Sequence, residues 1–401
     1  MPANNQFSAV NPALGYLYQV RASLLWSLQK IKSGDDFKVS LEILDDVAFE
    51  SNNQNPSELL QTKHHSTRSA LLTDSCVNLW KTLRVWIEGV AQNSALASSS
   101  LQLVTTGVAP NNSAAAKLKF VDRDIDGAKY ALDSVARTST NQANVAAYRA
   151  YESLSSEERS KLLGRIFVVD AAPTITDLDG ELRETIFWAV DRDNQNPFLD
   201  RLEGWWLRRV IQQLTSPSTT YIGSVEIEFE MSDLRDQFRQ DSLPIDGDLL
   251  DFVLDEQTTA AHQDYRFVKQ LKIIEAGRRR IANAIHDFYR AYEQRSRWVR
   301  EDLVVTTDIS RYEKRLTEEW SRVFDAMCDD IGDAATDEQK KNAARSVLKW
   351  AENVSSPIRS GVTEPFLCRG SLHMLADKKQ IGWHPDFQLL LSSAIDAARP
   401  V

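Results

Sequence analysis

The residues best suited to chemistry lie near the N-terminus: the acidic pair Asp45-Asp46, then Gln61 and Lys63 about 14 residues further on. Hydrolysing a phosphodiester needs a divalent cation, oxygen atoms to hold it, and a positive group beside the attacking water or the transition state. Mg2+ is held by one or two carboxylates together with water and substrate oxygens. It activates the water and stabilises charge on the phosphoryl group. Side chains repeat with period two along a strand, so a Lys two residues after Gln61 points into the same space. Asp46 on one strand, with Gln61 and Lys63 on its neighbour, meets these demands. The spacing suits a hairpin with a moderately long turn. The competing reading is a solvated strand face, since a carboxylate followed by Gln-x-Lys also arises by chance. Two details favour chemistry: Gln61 and Lys63 share a face with Leu59, and Glu42 lies four residues before Asp46. Several ionisable groups thus gather where a simple core would hold none. Adjacent strand residues face opposite ways, so geometry leaves open which of Asp45 and Asp46 faces the site.

The elements that must position these residues are legible around them. Ala13 to Ile31 carries apolar residues close to helical spacing, and Gly34-Asp35-Asp36 ends it. Phe37 to Phe49 alternates as a strand or hairpin interrupted by the acidic pair, Ser51 to Ser57 is a turn, and Glu58 to His65 is a second short strand. A helix is expected from about Asp74, which with Thr73 offers a cap, through Trp86 and Ile87. Leu101 to Thr106 and Arg165 to Asp170 read as strands. Asn111 to Lys161 reads as largely helical, and Asp177 to Val190 as a helix. This alternation predicts an α/β (α+β) domain with a small central mixed sheet over residues 1–215, its boundary at the loop-like Leu214 to Ser218. Beyond it, residues 216–401 predict a mainly α-helical domain that oligomerises or docks a partner. Its helices are expected at Ser224 to Gln240, Asp264 to Val299, Arg311 to Asp330 and Asp337 to Asn353, with an irregular tail after Pro357.

Three further segments resemble a known family: GYLYQ (Gly15 to Gln19), LEILDDV (Leu41 to Val47) and LLQTK (Leu59 to Lys63), in that order. They resemble the nuclease domain of antiphage effectors in the PD-(D/E)xK superfamily, in the D…QxK branch where Gln replaces the second acid. The words Leu71 to Trp86 and Arg369 to Pro385 are similar to the nuclease subunit of Lamassu-type, ABC-three-component defence systems. The resemblance implies a restriction-endonuclease-like fold and Mg2+- (or Mn2+-) dependent cleavage of double-stranded DNA. It implies that Asp46, at the Asp-apolar position before Val47, binds metal, and that Gln61 stands where the second acid would. Lys63 would position or activate water, Gln19 would support the site, and Glu42 would add a metal-facing oxygen. It further implies partners, an SMC-like ATPase and a small accessory subunit, that restrain the nuclease until it is released or self-assembles. Gln61 is neutral, which leaves one metal-binding charge to be supplied by Glu42 or Asp45.

Other candidates are weighed against plainer roles. His64 and His65 follow Lys63 and could touch DNA or a partner, although neighbouring strand residues point apart. Trp205-Trp206 reads as core or interface. Residues 266–300 hold ten Lys or Arg against three Asp or Glu, densest at Arg278-Arg279-Arg280. That stripe suits DNA phosphates or an acidic partner, or else a solvated helix face. Cys368, His373 and His384 match no standard zinc spacing. No P-loop, GxSxG or HExxH word occurs. The formal net charge of −10 repels DNA globally, so a DNA site must be concentrated locally or assembled. Three scattered cysteines, no long apolar run and no secretory leader fit a cytoplasmic protein without a membrane span. Two other functional classes remain: a non-catalytic adaptor that uses a nuclease-like fold to bind DNA or partners, and a sensor of a nucleotide second messenger.

Overall fold

The computed structural model describes residues 10–51, 56–65, 70–216, 218 and 220–396. The expected turn at Ser51 to Ser57 lies mostly outside them. The chain divides into two compact units, Met1–Arg235 and Asp236–Val401.

The first unit opens with α1 (Val10–Lys32), buried almost all round between Tyr18 and Leu28 and closed by Gly34 at φ 80°. The strands β1 (Phe37–Leu41), β2 (Val47–Ser51) and β3 (Pro56–Lys63) follow as antiparallel neighbours. Helix α2 (Val77–Gln92) then carries the chain to β4 (Ser100–Thr105), which pairs in parallel with β3. Four short helices, α3 (Ala114–Lys117), α4 (Ile125–Thr138), α5 (Val145–Glu152) and α6 (Ser156–Arg165), return it to β5 (Ile166–Val169), parallel to β4. After α7 (Leu178–Ile186) and α8 (Gln195–Thr215), the two-residue β6 (Ile222–Gly223) pairs antiparallel with β1. The six-stranded mixed sheet thus runs β5-β4-β3-β2-β1-β6. Parallel neighbours need crossovers, and helices on the sheet faces supply them. Leu79, Trp80, Leu83 and Trp86 recur at helical spacing on α2 and bury against Ala48, Leu59, Leu101 and Leu103 of the sheet. Each such side chain contributes roughly 1.5–3 kcal/mol of transfer free energy.

The mixed α/β architecture agrees with the sequence reading, with five differences, two of them in the second unit. Asp74 does not cap α2: its carboxylate accepts from the Ala114 backbone N–H, and Cys76 stands at the N-cap without a side-chain bond. Residues 42–46 form a bent connection rather than strand, so Asp46 precedes β2 instead of lying within it. Helix α8 was not anticipated as an element, and the loop after it does not close the sheet, because Ile222 and Gly223 come back to β1. The last difference concerns the tail, described below.

Helix α9 (Ser224–Gln237) closes the first unit, and in the second α10 (Gly247–Leu250), α11 (Glu256–Ala261) and α12 (Arg266–Ile273) follow. The expected single helix from Asp264 to Val299 is two, because Glu275 turns at φ 55° and Gly277 caps α13 (Arg278–Arg300). Then come α14 (Thr306–Ile331) and α15 (Asp337–Ala351), close to expectation. The tail read as irregular holds α16 (Pro365–Asp377) and α17 (Phe387–Asp396). Pro365 occupies the first turn, where a missing N–H costs nothing. Leu372, Leu375, Ala376, Ile381 and Trp383 are core residues of this unit. Gly370 lets α16 approach α13 closely: a Cβ there would stand 2.1 Å from the Asp287 carbonyl oxygen. Pro and Gly, which punctuate loops elsewhere, here start a helix and permit a crossing.

Candidate active site

The C-terminal end of β3 lies beside the N-terminal end of β2. Val47 pairs with Leu60, so one further step of the same register brings Asp46 to Gln61. Asp46 Oδ2 accepts from the Thr62 backbone N–H at 2.7 Å and from Thr62 Oγ1 at 3.0 Å. Its Oδ1 accepts from Gln61 Nε2 at 3.0 Å. The same Gln61 nitrogen donates to Asp45 Oδ1, while Trp86 Nε1, reaching across from α2, donates to Asp45 Oδ2 at 2.7 Å. Gln61 Oε1 in turn accepts from Lys63 Nζ at 2.8 Å. One amide therefore links both carboxylates to the ammonium.

The electrostatics follow from burial. Asp45 is 7% exposed, and desolvation holds its pKa above the ordinary carboxylate range against the hydrogen bonds from Gln61 and Trp86. Desolvation also lowers the Lys63 pKa, opposed first by the charge of Asp46. The exposed Lys81 on α2 pushes Lys63 the same way as burial does.

Gln19, on α1, touches the site from behind. Its amide donates to Glu42 Oε1 at 3.0 Å and to the Asp46 carbonyl, which also accepts from the Glu42 backbone N–H at 3.2 Å. Glu42 itself is exposed, in the left-handed region at φ 57°, with its carboxylate turned to Gln19 rather than to Asp45. The sequence reading thus named every side chain of this cluster except Thr62 and Trp86. The signal for Trp86 was an indole N–H on an otherwise apolar helix face, which must find an acceptor when buried.

His64 and His65 point apart. His64 packs on the Tyr18 ring at 4.9 Å and accepts from the Ile175 N–H, whereas His65 contacts Asn78 of α2. Burial lowers the pKa of both. The basic stripe of the second unit is not a free surface. Arg280 makes a bidentate pair with Glu352, Arg290 bonds the Leu249 carbonyl, Arg295 pairs with Glu313, and Arg297 with Asp246 and Asp248. Arg278 and Arg279 stay exposed. Trp206 is core, its Nε1 on the Val20 carbonyl, while His373 packs between Phe267 and Trp383 with its pKa lowered to about 3 by complete burial.

Among the described residues, no group of three or more His, Cys, Asp or Glu is placed to hold a metal. Asp45 Oδ1 and Asp46 Oδ1 nonetheless converge on a single atom, Gln61 Nε2. That point is filled by an N–H donor, and Asp46 Oδ2 and Asp45 Oδ2 are taken by Thr62 and Trp86, so a cation between the two oxygens would have to displace the Gln61 amide nitrogen.

Residues 267–391 match the family model for C-terminal domain 7 of the ABC-three component (ABC-3C) systems. The match begins in α12 and ends in α17, so it coincides with the helical core of the second unit. No curated protein matches the chain.

Proposed function

We propose that the chain is the DNA-cleaving effector of an ABC-3C antiphage defence system, a metal-dependent endonuclease acting on double-stranded DNA. The observation that carries this reading is the Asp45–Gln61–Asp46 convergence with Lys63 on the same amide, at the end of a mixed sheet. The D…QxK resemblance and the C-terminal domain match support it from independent parts of the chain.

Asp45 and Asp46 supply the oxygens that would hold Mg2+ or Mn2+. A bound cation would lower the pKa of water and stabilise charge on the phosphoryl oxygens. Lys63 places a positive charge beside that point, and its lowered pKa makes it readier to exchange a proton with water than a surface lysine is. Gln61 holds Lys63 and both carboxylates in one frame. Thr62 locks the Asp46 rotamer, Trp86 locks Asp45, and Gln19 ties down the backbone between them. Such orientation matters because small misplacements at a reacting centre cost large factors in rate.

The name of the matched domain implies partner subunits, and an SMC-like ATPase with a small accessory subunit would suit a nuclease that must be silent until infection. Release and self-assembly would gather weak DNA contacts on an acidic chain into an avid array. The test is cleavage of supercoiled plasmid by the full chain with its system partners, in Mg2+ and in EDTA. Lys63→Ala should cut about 10²–10³-fold more slowly than wild type, the usual loss for a charge-stabilising group. A wild type inert under these conditions, or a Lys63→Ala as active as wild type, would turn the reading to a non-catalytic adaptor.

A further inference from the structure

A second site stands in the helical unit, unrelated to the carboxylates on the sheet. His262, Tyr265, Phe288, Tyr289 and Tyr292 line an open cavity of about 380 Å3, whose remaining wall is Glu293, Met374, Asp377 and Lys378. The rings form one connected group: His262 stacks on Tyr265 at 4.7 Å, Tyr265 meets Phe288 edge-on at 5.3 Å, and Tyr292 lies parallel to Phe288 at 6.3 Å. Tyr265 is 37% exposed and Tyr292 49% exposed. A helical domain with an adequate core gains nothing by presenting tyrosine rings to water around a hollow. Such rings with one wet side are typical of binding surfaces.

The charges around the cavity decide what would enter it. Asp377 is already used, its Oδ1 accepting from the backbone N–H groups of Arg266 and Phe267 at the start of α12. Lys378 is held by Glu313 in two contacts of 2.9 Å, and Glu313 also pairs with Arg295. Glu293 makes no hydrogen bond or ion pair among the described residues. Glu293, Asp377 and Glu313 against Arg295 and Lys378 leave one carboxylate in excess. Aromatic faces carry partial negative charge and attract cations, guanidinium above all. Phosphate-bearing ligands would meet the opposite sign.

We infer that this cavity is a docking site for an arginine side chain on a partner protein, with the guanidinium over the tyrosine rings and paired to Glu293. The His262 Nδ1 donates to the Thr258 carbonyl at 2.7 Å, which holds its ring against Tyr265 at the edge of the cavity. The site lies largely within the matched C-terminal domain, so docking here would bring a partner to this unit independently of any chemistry on the sheet.

Isothermal titration of the full chain with N-acetyl-arginine amide tests it, with N-acetyl-citrulline amide as the neutral isostere and AMP as an anionic aromatic ligand. The arginine compound should bind in the millimolar range and the citrulline compound should not. Glu293→Gln, at a half-buried position, and Tyr292→Ala, at an exposed one, should each weaken binding about fivefold or more while leaving the melting temperature near wild type. Equal binding of the citrulline compound, no heat from the arginine compound, or unchanged affinity in both variants would overturn the proposal. So would AMP binding that survives Glu293→Gln, which would mark a nucleotide pocket instead. None of these readouts depends on DNA cleavage.

Discussion

Lys63 carries a conflict that can be measured. Burial lowers its pKa more than Asp46 raises it, so below the folded-state value the protein holds an ammonium in a desolvated place. That cost is present in full at neutral pH and disappears as pH climbs through the folded value toward 10.5, because the unfolded chain then binds more protons than the folded one. Lys63→Met should therefore melt higher than wild type at pH 7, by a margin that narrows toward pH 10, while losing cleavage. A lower melting temperature would mean that Asp45 and Asp46 depend on the ammonium more than the ammonium suffers from burial. Trp86→Phe keeps most of the ring and removes the donor to Asp45 Oδ2. The Asp45 pKa should then rise further, so the acidic limb of the pH–rate profile should move to higher pH and half-maximal Mg2+ should increase. An unchanged profile would leave Trp86 as packing alone.

At the scale of elements, the site depends on a hairpin whose connection is bent rather than extended. Glu42 at positive φ and the paired acceptor role of the Asp46 carbonyl fold residues 42–46 so that both acids reach Gln61, an outcome that strict strand alternation forbids. The alternation seen in Val39, Leu41 and Leu59 identified the strands correctly, but it could not say that Asp45 and Asp46 would share a partner. In the second unit the crossing of α13 and α16 depends on Gly370. Gly370→Ala must push the Asp287 carbonyl and Ala291 Cβ, 2.1 and 2.5 Å from the new methyl, out of place. Overpacking of this kind costs about 1–3 kcal/mol, and urea unfolding followed by circular dichroism should find it. Unaltered stability would mean that the two helices slide apart without loss.

Over the whole molecule, acidity is shared. Residues 1–235 hold 29 Asp or Glu against 23 Lys or Arg, and residues 236–401 hold 28 against 24, so the units carry −6 and −4 of the total −10. Neither unit carries a net positive charge, and four of the seven arginines of α13 are held by internal bonds, three of them to carboxylates. DNA contact by a single copy would rest on a small local set such as Lys63 and Lys81, so its affinity should fall only shallowly with added salt, by about one counterion per contact. No helix among the described residues is long and apolar enough to cross a membrane. The second unit has a buried cluster of its own running from Phe267 to Phe387. Expressed alone, residues 236–401 should fold with one cooperative thermal transition and no nuclease activity; a fragment without a transition would show that its stability is borrowed.

By itself, the sequence determined most of the helix–strand order of the first unit, the strands on either side of the acidic pair, and the candidates Asp46, Gln61, Lys63, Glu42 and Gln19. Hydrophobic periodicity and residue type are local properties, so a chain read residue by residue reveals them. Tertiary structure alone decided that Asp45 and Asp46 both meet Gln61, that Glu42 faces Gln19, and that Trp86 reaches Asp45 from 41 residues further along the chain. It also decided that Arg280, Arg295 and Arg297 of the basic stripe are held by internal carboxylates and that the tail read as irregular contributes core helices. These outcomes rest on pairing, register and burial, which arise only when distant segments are brought together.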